Sequence, residues 1–146
     1  MSADKAYLLI VTVLFAYALC GSWMLQSMCY PGYSLVGEKE FVPFHVHAGK
    51  RLIPVFVLPA VLACLLGIGL LMFRPVAMPL WAAVVVALCA VVILATTIIV
   101  EVPKHSWLDK NGKSEEVIQA LIRSNLPRAL CWTLGSLVLI ATVLGA

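Results

Sequence analysis

The chain has 146 residues, 63% hydrophobic and 12% charged, where a soluble domain carries roughly 25% charged residues. Folding alone cannot hide so much apolar side chain from water, so a soluble globular class is excluded in favour of a membrane protein. The formal net charge of +3 comes without a basic tract, which argues against nucleic acid as a partner.

A helix needs about 20 apolar residues to cross a bilayer, and four segments qualify, near 6–28, 52–73, 79–102 and 126–146. Backbone polar groups in lipid must be satisfied within the segment or a closed barrel, so helices are expected. Residues 6–20 have the outline of a signal peptide, with Lys5 ahead of an apolar run. Leu19 before Cys20 is too large for a typical lipoprotein cleavage site, and the segment is read as a retained span. Near its end, Trp23, Tyr30 and Tyr33 suit an aromatic belt. Gln26 is a polar side chain that needs a partner inside the bundle. The connection 29–51 closes on "FHVHAGKRL", with His45 and His47 ahead of span two. Pro54 and Pro59 make that span irregular or late to begin.

"RPVAMP" at 74–79 is a short Pro-bounded hairpin, so spans two and three are antiparallel neighbours. Span three carries Glu101 in its last turn, where a carboxylate opposes the helix dipole. The connection 103–125 holds His105 after Pro103, then "SEEVIQALIRS". The latter reads as a short interfacial helix capped by Ser114, with Glu115 and Glu116 in its first turn. A partner-binding helix is the alternative. Asn125 is placed to cap span four, with Pro127 just inside it and Arg128 in the first turn, where a cation is unfavourable. Glu101 and Arg128 break the dipole rule in opposite senses at one membrane face, so they are expected to pair with each other or with a ligand. Cys20, Cys29, Cys64, Cys89 and Cys131 include no close-spaced pair and imply no disulfide framework. Cys29, at a membrane edge, is the one placed to react.

The expected fold is all-α: a single-domain antiparallel four-helix transmembrane bundle, with a short interfacial helix between spans three and four. Both long connections emerge on one face, which also carries most of the lysines and arginines. The positive-inside rule puts that face in the cytoplasm.

The candidate site lies there. His45, His105 and Arg128 are candidate acid–base or charge-stabilising groups, and Arg51, Asn125, Trp132, Tyr30 and Gln26 candidate ligand-binding groups. His45, His105 and Glu101 are a candidate set for a metal or haem iron, since imidazole is a common ligand and an acid–base group near neutral pH. No strong metal spacing such as H-E-x-x-H is present. The competing reading makes these residues membrane-edge anchors that bond loop backbones and lipid phosphates.

"YPGYSLVGEKEFVPFH" and "VPKHSWL…VIQALIRSNLPRALCWT" together resemble a Y-P…V-G…F…[Y/F]-H and V-P-x-H-x-x-L…N-x-x-R…W-T pattern. That pattern belongs to a group of uncharacterised bacterial four-span membrane proteins distantly related to the anthrone-oxygenase-like ones. The matched positions are Tyr30, Pro31, His45, Arg51, Pro103, His105, Asn125, Arg128 and Trp132. The chain departs from the pattern at His47 and Lys50, at Glu101 in place of a neutral amide, and at Leu126-Pro127. The resemblance implies a bacterial inner membrane and, by analogy, a phenolic substrate. The function expected is a polar site at one membrane face that binds or acts on a quinone-like or phenolic ligand. The alternative is a non-catalytic accessory subunit packed against membrane-protein partners, or a homo-oligomer.

Overall fold

The computed structural model describes residues 2–145, so the last residue expected in span four, Ala146, lies outside the described residues. Four long helices form an up-down-up-down bundle: α1 (Ala3–Tyr33), α2 (Glu38–Gly69), α3 (Leu80–Asn111) and α4 (Glu115–Leu144). Each packs on its sequence neighbours, and α1 closes the ring against α4. All four are long and apolar enough to cross a membrane. Large apolar side chains such as Ile10, Val13, Leu62, Leu88, Ile99 and Leu137 remain on the outside, where lipid rather than water is their natural solvent. The chain is an integral membrane protein.

The helices outrun the apolar runs that announce them. The expected connections 29–51 and 103–125 are mostly helical, and the turns at that end shrink to 34–37 and 112–114. "SEEVIQALIRS" is not a separate interfacial helix but the first turns of α4, with Ser114 as its cap accepting from the Val117 amide. Asn125 is therefore an interior residue of α4, not a cap. Its neighbour Pro127 is carried within the helix. The α3–α4 turn is set by Gly112, whose φ of +88° suits glycine. Across the turns, Lys113 Nζ donates to the Ser34 and Val36 carbonyls at 2.6 and 2.9 Å, and Ser34 Oγ donates to Glu115 at 2.6 Å. The two connections thus lock to each other.

α1, α2 and α3 each contain one widened π-turn: Leu25–Cys29, Ile53–Val57 and Thr97–Glu101. Each ends two residues before a proline, Pro31, Pro59 or Pro103. Proline has no N–H, and its ring clashes with the carbonyl four residues back. A wider turn relieves the clash and lets the helix continue. For Pro59 that carbonyl belongs to Val55, and the Tyr17 hydroxyl donates to it at 2.5 Å.

Away from the connections the core is packed through small residues. Phe15 is fully buried, edge-on to Trp132 with ring centroids 4.9 Å apart. It lies between Gly67 and Gly135. A Cβ on Gly67 would meet its ring at 2.9 Å, and one on Gly135 at 2.7 Å. Lipid supplies no hydrophobic drive for helix association, so such close approach carries much of the affinity between helices. Gly135→Val should therefore cost about 1–3 kcal/mol by overpacking. Thermal unfolding in mild detergent should show a lowered midpoint, with Leu137→Val on the lipid face nearly unchanged. Equal midpoints for both variants would contradict this packing.

Candidate functional site

The inward face of α4 runs Leu121, Asn125, Arg128, Trp132, Gly135, Leu139 and Thr142, in alternating steps of four and three residues. This is the seam of a left-handed bundle. Asn125 and Arg128 occupy it as if they were core residues, fully buried and 6% exposed. Opposite them, the π-turn of α3 ends on Glu101, which is 2% exposed.

The expected pair is present. Arg128 Nη1 lies 3.6 Å from Glu101 Oε2 and donates to Asn125 Oδ1 at 3.2 Å. The reason is not the one the sequence suggests, because neither residue sits at a helix end and no dipole is being opposed. Both are interior residues of long helices, and each is the charge that makes the other's burial tolerable. Ser124 Oγ donates to Glu101 Oε1 at 2.5 Å, and Lys104 Nζ donates to the same hydroxyl at 2.8 Å. Asn125 Nδ2 donates to Gln26 Oε1 at 3.0 Å and to the Ser22 carbonyl at 3.2 Å, which fastens α4 to α1.

A second arm leads to the connection end. Tyr30 Oη lies 3.5 Å from Glu101 Oε2 and 3.4 Å from His105 Nε2. His105 Nδ1 is 2.9 Å from His45 Nε2, and His45 Nδ1 is 2.7 Å from Asp109 Oδ1. The two imidazole rings lie nearly coplanar and edge to edge, with centroids 5.1 Å apart and 21° between planes. Phe41 stacks on His45, and Tyr33 meets His45 edge-on. Every ring nitrogen of the two histidines is thus committed. His45 is buried and His105 half-buried, while the Asp109 side chain is 41% exposed.

His45, His105, Tyr30, Glu101, Arg128, Asn125 and Gln26 therefore belong to one connected network. The two histidines meet directly. Arg51 does not join them. It is exposed, as is His47, because α2 is already helical there and both point away from the bundle axis. Trp132 is buried but packs in the apolar core against Phe15. Among the described residues no group of three or more His, Cys, Asp or Glu is arranged to hold a metal ion. The imidazoles face each other, and Tyr30 stands between His105 and Glu101.

Asp109, Ser124 and Lys104 complete the network and are absent from the sequence-derived site. A signal for Asp109 exists: Glu101, His105 and Asp109 recur every four residues, which aligns them on one helix face. Ending span three at Pro103 hides it.

Arg128 has a further surface. It lines a cavity of about 40 Å³ between α2 and α3, bounded by Phe56, Val57, Ala60, Val61, Cys64, Ile93, Leu94 and Thr97. Several of these, Val57, Ala60, Val61, Leu94 and Thr97, are half-buried and form its rim on the outer, lipid-facing side of the bundle. Arg128 Nε is buried and has no hydrogen-bond partner.

Comparison with protein-family models, with curated proteins and with solved structures returns no match.

Leaving one partner of a buried ion pair uncompensated costs about 3–5 kcal/mol. Glu101→Gln and Arg128→Gln should each lower the unfolding midpoint in detergent, and the double variant should recover part of the loss. Simple addition of the two losses would show that the groups do not act as a pair.

Proposed function

We propose that this protein binds a lipid-soluble ligand with an acceptor oxygen, quinone-like or phenolic, at the cavity between α2 and α3. The observation that carries the reading is that Arg128, whose Nε–H is buried without a partner, lines a cavity whose other walls are apolar apart from Thr97. An unsatisfied buried donor costs about 1–3 kcal/mol, more when charged. A carbonyl or phenolate oxygen placed there removes that cost. A recess of about 40 Å³ takes an oxygen-bearing head and little more, which leaves the apolar body of the ligand along the α2–α3 rim and in lipid. Arg128 would orient the oxygen and stabilise negative charge on it, with Glu101 next to it as the acid–base group. The motif resemblance, through Arg128, Asn125 and His105, agrees with a ligand of this class. The membrane-edge-anchor reading has weaker support, because anchoring residues would radiate toward lipid phosphates, whereas these bond one another.

The test is titration of the detergent-solubilised protein with a short-chain benzoquinone and its quinol, read by tryptophan fluorescence and calorimetry. Saturable binding is expected. Ala60→Phe, which fills the rim and leaves the polar network untouched, should weaken it at least about tenfold, a loss of about 1.4 kcal/mol. Absence of saturable binding to the unaltered protein overturns the reading, as does equal binding by the folded Ala60→Phe variant.

The exposed cations Lys39, Lys50, Arg51, Lys110 and Arg123 cluster at the end carrying the 34–37 and 112–114 turns, against Lys5 and Arg74 at the other. We infer that the turns face the cytoplasm of a bacterial inner membrane. A topology reporter inserted at Gly112 should read as cytoplasmic and one in the 74–79 hairpin as extracytoplasmic. The reverse pattern would invert the assignment.

A further inference from the structure

We propose that Asp109, His45, His105 and Tyr30 form a proton path between water at the connection end and Glu101 inside the bundle. The inference concerns an activity of the free protein and does not depend on which ligand, if any, occupies the α2–α3 cavity.

The geometry is that of a relay. The four links measure 2.7, 2.9, 3.4 and 3.5 Å from Asp109 inward, so the outer two are hydrogen bonds of ordinary length and the inner two, at Tyr30, must close by a few tenths of an ångström for transfer. Each intermediate group can accept on one side and donate on the other. An imidazole does so through its two nitrogens and a phenol through its single oxygen. One end is wet, since the Asp109 side chain is 41% exposed. The other is dry, since Glu101 is 2% exposed.

Two arrangements of the same chain satisfy every link. With Glu101 ionised, Tyr30 donates to Glu101, His105 Nε2 donates to Tyr30, and His45 Nε2 donates to His105 Nδ1. His45 also donates from Nδ1 to the Asp109 carboxylate and is an imidazolium. With Glu101 protonated, every bond reverses up to His45. Glu101 then donates to Tyr30, Tyr30 to His105 Nε2, and His105 Nδ1 to a neutral His45, which keeps its Nδ1–H on Asp109. Three hops convert one into the other. His45 gives its Nε2 proton to His105 Nδ1, His105 gives its Nε2 proton to Tyr30 Oη, and Tyr30 gives its hydroxyl proton to Glu101 Oε2. One proton moves inward and no electrons are transferred; water beside Asp109 loads that proton at His45 Nδ1 while Nε2 already carries one, and a second transfer requires the His45 ring to turn so that its bare nitrogen faces Asp109.

The surroundings favour transfer over leakage. Phe41 and Tyr33 cover the His45 ring. Arg128 and the Lys104–Ser124 pair hold the ionised form of Glu101 from α4 and α3. From α1 Glu101 is met by Tyr30, and α2 contributes only His45 to the chain. A purely structural role would require none of the links to be reversible.

The test is a light-triggered pH jump on the solubilised protein, followed by time-resolved infrared spectroscopy. The carboxylic C=O band that disappears in Glu101→Gln reports protonation of Glu101. In the unaltered protein that band should rise more slowly in heavy water, as several protons move in series. His45→Gln, which keeps a hydrogen-bonding side chain but no relay, should slow it by about 10²-fold or more, the usual worth of a positioned proton-transfer group. Tyr30→Phe should do the same, and in His45→Gly added imidazole should restore the rate. A Glu101 band that never appears on acidification, that rises without an isotope effect, or that rises unchanged in the histidine and tyrosine variants overturns the path. Quinone binding is measured separately, so failure of the relay and failure of the ligand reading remain distinguishable.

Discussion

Two full charges inside an apolar bundle impose the constraint on which the rest of this structure depends. Lipid offers neither water nor counter-ions, so Glu101 and Arg128 must draw their partners from within the chain, and only the Arg128 Nε–H is left over. The partners found come from all four helices. Asn125 and Ser124 continue along α4, Ser22 and Gln26 receive Asn125 from α1, and Tyr30 of α1 links Glu101 to His105 of α3 and thence to His45 of α2. The pair therefore fixes register as well as charge balance. Sliding any one helix by a turn would strand a buried polar group with no solvent to replace its partner.

The other half of the molecule is held by shape. Phe15 between two glycines, and Tyr7 donating to the Leu66 carbonyl at 2.7 Å beside Gly69, allow the backbones to approach closely. The two halves meet at Trp132, which caps the apolar layer directly below Arg128 on the α4 seam. The cavity between α2 and α3 opens at this junction, where well-packed small residues give way to a charged side chain that no apolar neighbour can satisfy.

The four spans were legible because hydropathy over about 20 residues is a strong signal. Helix ends were not, because these helices extend beyond lipid as amphipathic polar segments with no long apolar run. Pro103 and the Asn125–Pro127 stretch look like boundaries, and proline statistics favour that reading. Here π-turns absorb Pro31, Pro59 and Pro103 instead. Misplacing those ends cost Asp109 and Ser124, which belong to the site only if α3 and α4 are continuous. It also gave a sound pairing on an unsound premise: Glu101 and Arg128 meet because both are buried, not because dipoles push them together. Arg51 lies outside the network. Its neighbours His45 and His47 made it look part of a polar cluster, yet His47 and Arg51 lie on an exposed face, away from His45.

The π-turns do more than accommodate proline. At 3.6 residues per turn, Glu101 would be rotated by roughly 80° from Ile93, the buried residue two turns below it. It would then face toward the flank of α3, nearer to lipid. A wider turn between them rotates less per residue and returns Glu101 to the inner face. The same correction appears in α1, where Leu25 and Tyr30 are both buried although five residues apart, the spacing of a π-turn rather than an α-turn. Both site residues that meet on this arm, Tyr30 and Glu101, thus owe their inward direction to a local widening placed just ahead of a proline. A proline two residues beyond such a turn is then part of the site's construction. It favours the widened turn that aims a carboxylate and a phenol at each other, in a part of the chain where hydropathy alone would turn neither of them inward.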